Sequence, residues 1–448
     1  MTTVLSGDIW LDRMPSDWKC SRIRNVAELS PSYSQTRPAA DEPCTVVPME
    51  LLSTDGVIDA SNQQPLEDIS TGLPLFEKGD VLFAKITPCM ENGKGAFVRN
   101  LPTRYAFGST EFHVLRAVCK VDGKFLYYAT VNPVYRAYAA DNMIGAAGQK
   151  RVSSRFLKDT RLFLPPLPEQ RRIATYLDAS CAAVDAAVAA KRCQLEALDA
   201  LRKSIIQRAV TRGIADGVGL ESTGNAWMAQ VPIGWTLVCL KRVAAIQGGL
   251  TLGKQYEGPL IERPYLRVGN VQDGYLDLND VSVIELPASV AAGVELRVGD
   301  VLMTEGGDLD KLGRGHVWSG EIPGCLHQNH IFAVRCFPHK LKPNFLAYVT
   351  ASTYGRDYFE ATGKKTTNLA STNATKVGEF PIPLPCLAEQ EGICSYLETQ
   401  LGELKSIVTG IESQIAILIA YRKSLIHECV TGQRRITESD INRIEAHG

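Results

Sequence analysis

Two long segments of the chain carry the apolar spacing of a coiled coil. Between residues 169 and 212 no proline or glycine interrupts the first segment, and mostly apolar residues recur in alternating steps of four and three. The segment after residue 386 repeats this spacing more strictly. Such spacing is typical of the a and d positions of a coiled coil, here called the seam. The predicted seam positions are Leu177, Val184, Leu195, Leu198 and Ile205, then Leu397, Leu404, Ile415, Leu418 and Leu425.

We expect these two helices to pair with each other. A helix of about 43 residues is roughly 65 Å long, and its apolar seam needs a partner to cover it. If the two segments are related by a two-fold axis, the helices pair antiparallel and hold the globular domains apart. The alternative is that each helix packs on its own domain and never meets the other.

The whole chain is a repeat with an offset of 220 residues. Gly79-Asp80-Val81-Leu82 returns as Gly299-Asp300-Val301-Leu302, and Glu169-Gln170 returns as Glu389-Gln390. A unit of this size is too long for a solenoid or propeller repeat. The repeat therefore predicts two similar domains and two similar helices in a pseudo-two-fold molecule, which suits a target or a pair of partners that is itself two-fold.

Short strands and loops are predicted on the amino-terminal side of each helix, and a proline-rich stop precedes each helix start. The predicted fold class is α+β: two tandem mixed α/β domains separated by two long antiparallel coiled-coil helices. The predicted segments are domain 1 over 1–165, helix 1 over 166–213, domain 2 over 214–383, helix 2 over 384–432, and a charged, mobile tail over 433–448.

Composition indicates an ordinary soluble protein. The chain is 45% hydrophobic and 22% charged, with a formal net charge of −1, so no global positive field announces a nucleic-acid binder. Its 12 cysteines are scattered, without a C-x-x-C pair, which favours a reducing cytoplasm. Because the amino terminus has no apolar signal core and no charge-free stretch approaches about 20 residues, we expect a cytoplasmic protein with no membrane partner.

Several apparent motifs carry no chemistry. Residues 248–254 have the spacing of a phosphate-binding loop, but Gln255 replaces the required Ser or Thr and no helix can follow. Asn132-Pro133-Val134-Tyr135 resembles an adenine-holding loop of methyltransferases, yet a helix start is the better interpretation. His113 lies on a predicted strand, where a structural role is favoured over a base. No catalytic or metal-binding constellation is found.

Polar loops of the kind that recognise nucleic acids remain. Lysine and arginine neutralise phosphates, whereas glutamine, asparagine and arginine can pair with base edges. Each loop taken alone is as easily a solvated surface, but such loops recur at comparable positions in both copies. The candidate DNA-binding residues are Lys85, Thr87, Asn92, Lys94, Gln149, Lys150 and Arg151 in the first copy, and Lys311, Arg314, Lys364, Lys365, Thr366 and Asn368 in the second.

These features together resemble a known family. The run from Gly79 to Lys94, the run from Gly108 to Arg116 and the run from Pro264 to Gly274 are similar to target recognition domains of the specificity subunit of Type I restriction-modification enzymes. The Leu-Pro-x-Leu-x-Glu-Gln start of each long helix, at Leu164 and Leu384, is similar to that family's conserved regions. The resemblance covers nearly the whole chain.

The resemblance implies a non-catalytic subunit that reads a bipartite sequence in double-stranded DNA, with one half-site for each domain. It implies that the helices set the unread spacer and dock two modification subunits, and that restriction subunits join the full complex. No cofactor is expected in this chain, because S-adenosylmethionine, ATP and magnesium would be held by those partners. The loops differ between the two copies, which fits an asymmetric target.

Two other functions are weighed against this one. The first is a duplicated scaffold that binds proteins rather than DNA, which the same repeat would also fit. The second is a stand-alone methyltransferase or fusion enzyme, which is disfavoured because the repeat uses the full length of the sequence. The bases recognised, the spacer length and the residues that touch bases do not follow from the sequence.

If the long helices set the length of the unread spacer, an insertion in helix 1 should change that length. Four extra residues between Leu198 and Arg202, about one helical turn, shift one domain by about 6 Å along the helix. The expected result is a target with unchanged half-sites and an altered gap, or loss of activity, measured by methylome sequencing. Altered half-sites would contradict the separation of reading and spacing.

Overall fold

The computed structural model describes residues 3–4, 14–146, 148–307, 312–365 and 370–446. These residues divide into two compact units. Unit 1 comprises residues 1–191 with 412–448, and unit 2 comprises residues 192–411. Each unit therefore combines one of the two predicted domains with half of each long helix, so the division cuts both helices near their middle.

Unit 1 builds its domain from short strands in two four-stranded sheets, one of order β4-β11-β8-β9 and one of order β6-β5-β10-β7, with a separate pair of β3 and β12. The strands are β1 Thr3–Val4, β2 Met14–Pro15, β3 Lys19–Arg22, β4 Ala27–Leu29, β5 Pro43–Val47, β6 Gln63–Pro65, β7 Leu75–Phe76, β8 Val81–Ala84, β9 Gly95–Phe97, β10 Ala106–Gly108, β11 Phe112–Ala117 and β12 Arg161–Leu164. The helices are α1 Gly123–Val131, α2 Pro133–Asp141, α3 Ser154–Asp159 and the long α4 Leu167–Arg212.

Unit 2 repeats the main sheet and the separate strand pair, and it also has two three-stranded sheets, of order β18-β17-β22 and β20-β25-β24. Its main sheet has the order β16-β23-β19-β21, and β15 pairs with β26 as β3 pairs with β12. The strands are β13 Leu220–Ser222, β14 Gln230–Pro232, β15 Thr236–Cys239, β16 Ala244–Gly248, β17 Ile261–Leu266, β18 Ser282–Leu286, β19 Asp300–Thr304, β20 Gly306–Gly307, β21 Gly315–Val317, β22 Leu326–His327, β23 Ile331–Cys336, β24 Lys364–Lys365, β25 Ala370–Ser371 and β26 Pro381–Leu384. The helices are α5 Ala288–Val294, α6 Pro343–Ala351, α7 Thr353–Thr362, α8 Ala374–Glu379 and the long α9 Leu387–Thr431. The predicted α+β class and the internal repeat are confirmed.

A buried ion pair explains why the Gly-Asp-Val-Leu motif recurs. Asp80 accepts two hydrogen bonds from Arg116, from Nε at 2.8 Å and from Nη2 at 2.7 Å. Asp300 accepts the same two bonds from Arg335, at 2.8 and 2.7 Å. Both carboxylates are almost fully buried, so each needs a paired cation to offset the cost of leaving water. The pair joins neighbouring strands of the main sheet in each unit.

A buried glutamine explains the recurring Glu-Gln at each long helix. Gln170 accepts a hydrogen bond from the amide of Asp122 at 2.9 Å and donates to the carbonyl of Pro165 at 2.8 Å. Gln390 accepts from the amide of Lys342 at 2.9 Å and donates to the carbonyl of Pro385 at 2.9 Å. Each glutamine thus ties the first turn of a long helix to the loop before α1 or α6.

The two long helices meet along the predicted seam. In unit 1 Asp185 pairs with Arg422 at 3.0 Å, while Tyr176 accepts a hydrogen bond from Arg434, just beyond α9, at 2.7 Å. The numbers rise along one segment as they fall along the other, so the pair is antiparallel. Every predicted seam residue is buried or half-buried: Leu177, Val184, Leu397 and Leu425 are buried, and Leu195, Leu198, Ile205, Leu404, Ile415 and Leu418 are half-buried. The alternative in which the helices never meet is wrong.

The described residues after α9, 432–446, are ordered, contrary to the mobile tail that their charge predicted. Ile436 is buried in the core of unit 1, and Arg435 forms ion pairs with Asp17 at 2.7 Å and Glu169 at 2.8 Å. A further helix, α10 Glu438–Glu445, begins with a capping box at Thr437. The prediction from charge was wrong because the burial of Ile436 and the ion pairs of Arg435 attach this segment to unit 1.

Two local predictions are confirmed. The Asn132 side chain accepts a hydrogen bond from the amide of Val134 at 3.0 Å, and Pro133 is the first residue of α2, so this motif is a helix start. Residues 248–254 do not lead into a helix. Instead, a Cβ atom at position 249 would lie 2.3 Å from the carbonyl oxygen of Gln328. The glycine therefore allows two segments of the chain to approach closely.

By length and composition alone, α4 and α9 could each cross a membrane, since each has an 18-residue window of mean hydropathy 1.3. The absence of a membrane partner therefore stays an expectation. Pairing explains part of this apolar character, because 39% of that window in α4 and 6% of that window in α9 are buried within the protein.

The seam predicts a difference between two apolar truncations on α9. Leu425 is 1% exposed, so Leu425→Ala should lower the free energy of unfolding by about 2–5 kcal/mol through lost burial and a cavity. Ile417 is 64% exposed, so Ile417→Ala should change it by no more than about 0.5 kcal/mol. Urea denaturation measures both, and equal losses would contradict the pairing.

Candidate nucleic-acid interface

The polar loops of the two domains are built on the same backbone contacts. In unit 1 the amide of Lys85 donates to the carbonyl of Glu111 at 2.9 Å, and the amide of Val152 donates to the carbonyl of Lys85 at 2.8 Å. In unit 2 the amide of Glu305 donates to the carbonyl of His330 at 2.9 Å, and the amide of Thr372 donates to the carbonyl of Glu305 at 2.8 Å. Positions 85 and 305 are therefore equivalent, at the end of β8 and just after β19.

A hairpin precedes this contact in each domain. Hairpin 1 is residues 144–151, closed by an antiparallel bridge between Ile144 and Arg151. Hairpin 2 is residues 364–371, in which β24 and β25 pair Lys364 with Ser371. The two closing pairs differ by the repeat offset of 220, so the hairpins are equivalent. Residue 147 of hairpin 1 and residues 366–369 of hairpin 2 lie outside the described residues.

Five of the predicted residues of unit 1 come together at hairpin 1. Thr87 donates to the carbonyl of Lys150 from its amide at 3.0 Å and from its hydroxyl at 3.3 Å. Lys85 lies two residues before Thr87, and Arg151 follows Lys150. Gln149 and Lys150 are exposed, so their amide and ammonium groups face solvent.

Arg151 is bound to an acid within the protein. Its Nε lies 3.0 Å from Oε2 of Glu111, and its Nη2 lies 2.9 Å from Oε1. Hydrogen bonds from Arg151 hold the pKa of Glu111 below its ordinary value, and the positive charges of Arg151 and Lys85 act in the same direction. Glu111 is therefore ionised at neutral pH, and most of the charge of Arg151 is neutralised locally.

Asn92 and Lys94 lie on the turn that follows β8. Asn92 is exposed, whereas Lys94 donates from Nζ to the carbonyl of Met49 at 2.9 Å. The buried side chain of Arg136 stabilises this turn, because its Nη1 donates to the carbonyls of Met90 at 3.2 Å and Lys94 at 3.3 Å. Burial lowers the pKa of Arg136 to about 10, so it is still cationic at neutral pH. Lys94 thus has a partner within the protein, and Asn92 is open to a ligand.

Hairpin 2 places its cations differently. Lys364 and Lys365 are exposed on its first strand, the position of Ile144 and Gly145 in hairpin 1, rather than on the second strand with Lys150 and Arg151. The sequence suggested comparable positions, but strand pairing shows that the two sets lie on opposite arms. Arg314 is half-buried after the turn of unit 2, and Lys311, Thr366 and Asn368 lie outside the described residues.

The described histidines near these loops have structural contacts. Nε2 of His113 lies 2.8 Å from the carbonyl oxygen of Val152, and burial lowers the pKa of His113. This confirms the predicted structural role. His330 instead pairs with Glu305, with 2.8 Å between Nδ1 and Oε2. In unit 2, Glu305 and His330 therefore occupy the backbone positions that Lys85 and Glu111 occupy in unit 1.

Sequence reasoning missed Glu111, Glu305 and Arg136. For Arg136 a signal was present, because a second arginine, Arg356, lies at the same repeat offset of 220 residues. Glu111 gave no such signal, since His330 occupies the equivalent backbone position. Its pairing partner is 40 residues away along the chain.

Among the described residues, both hairpins carry exposed polar side chains: Gln149 and Lys150 in hairpin 1, and Lys364 and Lys365 in hairpin 2. Lys150, Lys364 and Lys365 can neutralise phosphates, and Gln149 and Asn92 can donate to and accept from base edges. Among the described residues, no group of three or more acids, histidines or cysteines could hold a metal ion. Side chains of these types are suited to a polar, anionic ligand.

Comparison with known proteins supports the sequence resemblance. Residues 15–196 match the family described as "Type I restriction modification DNA specificity domain". Over 164 residues the chain is 32% identical to the Type I restriction enzyme EcoAI specificity subunit of Escherichia coli, covering 36% of this chain and 27% of that protein. It is also 24% identical over 333 residues to the EcoBI specificity subunit of Escherichia coli, covering 70% and 68%. The chain thus matches about a quarter of the EcoAI subunit and two thirds of the EcoBI subunit.

The fold has a solved counterpart. A structure described as "Structural basis underlying complex assembly and conformational transition of the type I R-M system" has a TM-score of 0.72 to this chain at 19% identity, covering 93% of this chain and 98% of the other. At that identity the likeness concerns the fold. Together, the comparisons confirm the resemblance inferred from the motifs.

Proposed function

We propose that this chain selects the DNA sequence for a Type I restriction-modification complex, because residues 15–196 match the family described as "Type I restriction modification DNA specificity domain". Each domain reads one half of a bipartite, asymmetric target in double-stranded DNA. The chain itself is non-catalytic, and it acts in the cytoplasm with the subunits that modify and cleave DNA.

One observation carries this proposal: the two domains share a backbone arrangement at positions 85 and 305, beside the hairpins, and differ in the side chains there. Positions 85 and 305 make the same two backbone hydrogen bonds, yet one is lysine and the other glutamate. Lysine donates to guanine or phosphate, whereas glutamate accepts from the amino group of cytosine. The same backbone contacts with different donor and acceptor side chains support a proposal in which each domain recognises a different half-site.

The long helices are proposed to dock two modification subunits. In unit 2, Tyr396 and Ile407 of α9 are exposed large side chains. Their spacing of 11 residues places them within about 20° of each other around a helix of 3.6 residues per turn. An exposed apolar stripe supports a protein partner at this surface. S-adenosylmethionine, ATP and magnesium are then bound by the modification and restriction subunits rather than by this chain.

The proposal predicts that each hairpin serves one half-site. We expect the double substitution Gln149→Ala and Lys150→Ala to relax or abolish discrimination at one half-site, and Lys364→Ala with Lys365→Ala to do so at the other. Each lost base contact costs about 1–3 kcal/mol, or roughly 5- to 150-fold in affinity, and each lost phosphate contact lowers the salt slope by about 1. Methylation of DNAs altered in one half-site at a time, by the chain with its modification subunits, measures this.

Lys78→Ala is the matched control, because Lys78 is an exposed lysine near the opposite end of β8 from Lys85. Its specificity and salt slope should equal those of the wild type. Loss of discrimination at the same half-site in both double variants would contradict separate readers. Specific capture of proteins with no sequence-dependent binding of DNA would favour the scaffold instead.

A further inference from the structure

Hairpin 1 has less backbone pairing than hairpin 2. Hairpin 2 is the edge of a three-stranded sheet in which β25 pairs with both β24 and β20, two residue pairs on each side. Hairpin 1 has only isolated bridges among its described residues, and both involve Arg151: one with Ile144 and one with Ile86. Gly145 and Gly148 have φ values of +139° and +81°, a region that only glycine adopts freely, so this backbone loses more entropy on ordering.

The side chain of Arg151 compensates for the missing pairing. Its Nε and Nη2 bind both oxygens of Glu111, and its Nη1 donates to the carbonyl of Gln149 at 3.3 Å, back within hairpin 1. In hairpin 2 the equivalent residue is Ser371, which forms no such ion pair and sits between two paired strands. The ion pair is therefore found in the hairpin that lacks the sheet.

Glu111 is itself fixed to the domain. Its amide donates to Oγ of Ser109 at 3.2 Å, and its carbonyl accepts from the amide of Lys85. The carboxylate of Glu111 is thus attached to the body of the domain, and Arg151 belongs to hairpin 1. A bidentate arginine–carboxylate pair fixes direction as well as distance.

We propose that Arg151 is a positioning residue, which with Glu111 clamps hairpin 1 so that Gln149 and Lys150 face the DNA. This inference rests on the proposed function for its DNA readout, but the clamp itself is a property of the free protein. It reassigns Arg151 from the contact residues that the sequence suggested, and it adds Glu111 as a determinant of specificity that touches no base.

Hydrogen–deuterium exchange of the free chain tests the clamp without DNA. In Glu111→Gln and in Arg151→Gln the peptide over residues 143–152 should exchange faster, because the amides of Ile144 and Arg151 bond only to each other's carbonyls. The double variant should exchange no faster than either single variant, since both remove one interaction. Strands β24 and β25 should be unchanged. Wild-type exchange in Glu111→Gln would overturn the clamp.

Salt dependence of DNA binding, in the complex with modification subunits, separates positioning from phosphate contact. For a positioning role, both single variants lose discrimination at the same half-site to the same degree and keep the wild-type salt slope. For a phosphate contact, Arg151→Gln lowers the slope by about 1, while Glu111→Gln frees the arginine and strengthens binding. The second pattern would overturn the proposal.

Asp159→Asn is the control variant, since Asp159 forms a similarly exposed ion pair with Arg24 at 2.9 Å in the same unit. It should leave both exchange at residues 143–152 and discrimination unchanged. A wild-type complex that discriminates no bases at all would refute the proposed function, whereas a discriminating wild type with unaffected Glu111→Gln would refute only the clamp.

Discussion

The apolar faces of the two long helices constrain the rest of the structure, because they must be covered and each domain helps to cover them. In unit 1 Leu177 and Leu425 lie in the same core as Phe125 of the domain. In unit 2 Leu397 lies in the same core as Phe345, the repeat counterpart of Phe125. Helix and domain therefore share one core in each unit. This explains why the compact units cut the helices instead of separating helices from domains.

Buried polar groups then fix how each domain sits on its helices. A buried carboxylate or amide without a partner is costly, so Asp80 with Arg116 and Gln170 with its loop each have one favourable geometry. Asp300 and Gln390 repeat these geometries within about 0.1 Å. Such contacts reproduce the same backbone in both copies. The hairpin sequences can differ between the two copies because these buried contacts of the domains are the same in both.

Local electrostatics at the hairpins depends on which cations have partners. The formal net charge of −1 conceals this, since the acids nearly balance the bases overall. Glu111 neutralises Arg151, whereas Lys150, Lys364 and Lys365 remain exposed. Under the proposed function, these exposed lysines supply the positive charge that faces DNA, although the chain as a whole is nearly neutral. The pattern of pairing makes the two domains electrostatically different.

By itself, the sequence determined the features that depend on periodicity and repetition. The seam from Leu177 to Leu425, the offset of 220 and the helix start at Asn132 follow from spacing and from local chemistry, and the structure confirms each. Only the tertiary structure decided which residues face each other across long separations. The bond between Arg151 and Glu111, the opposite-arm positions of Lys364 and Lys150, and the ordered segment around Ile436 all depend on contacts between distant parts of the chain. No local pattern encodes such contacts, because their energy comes from burial and pairing that exist only once the domain has folded.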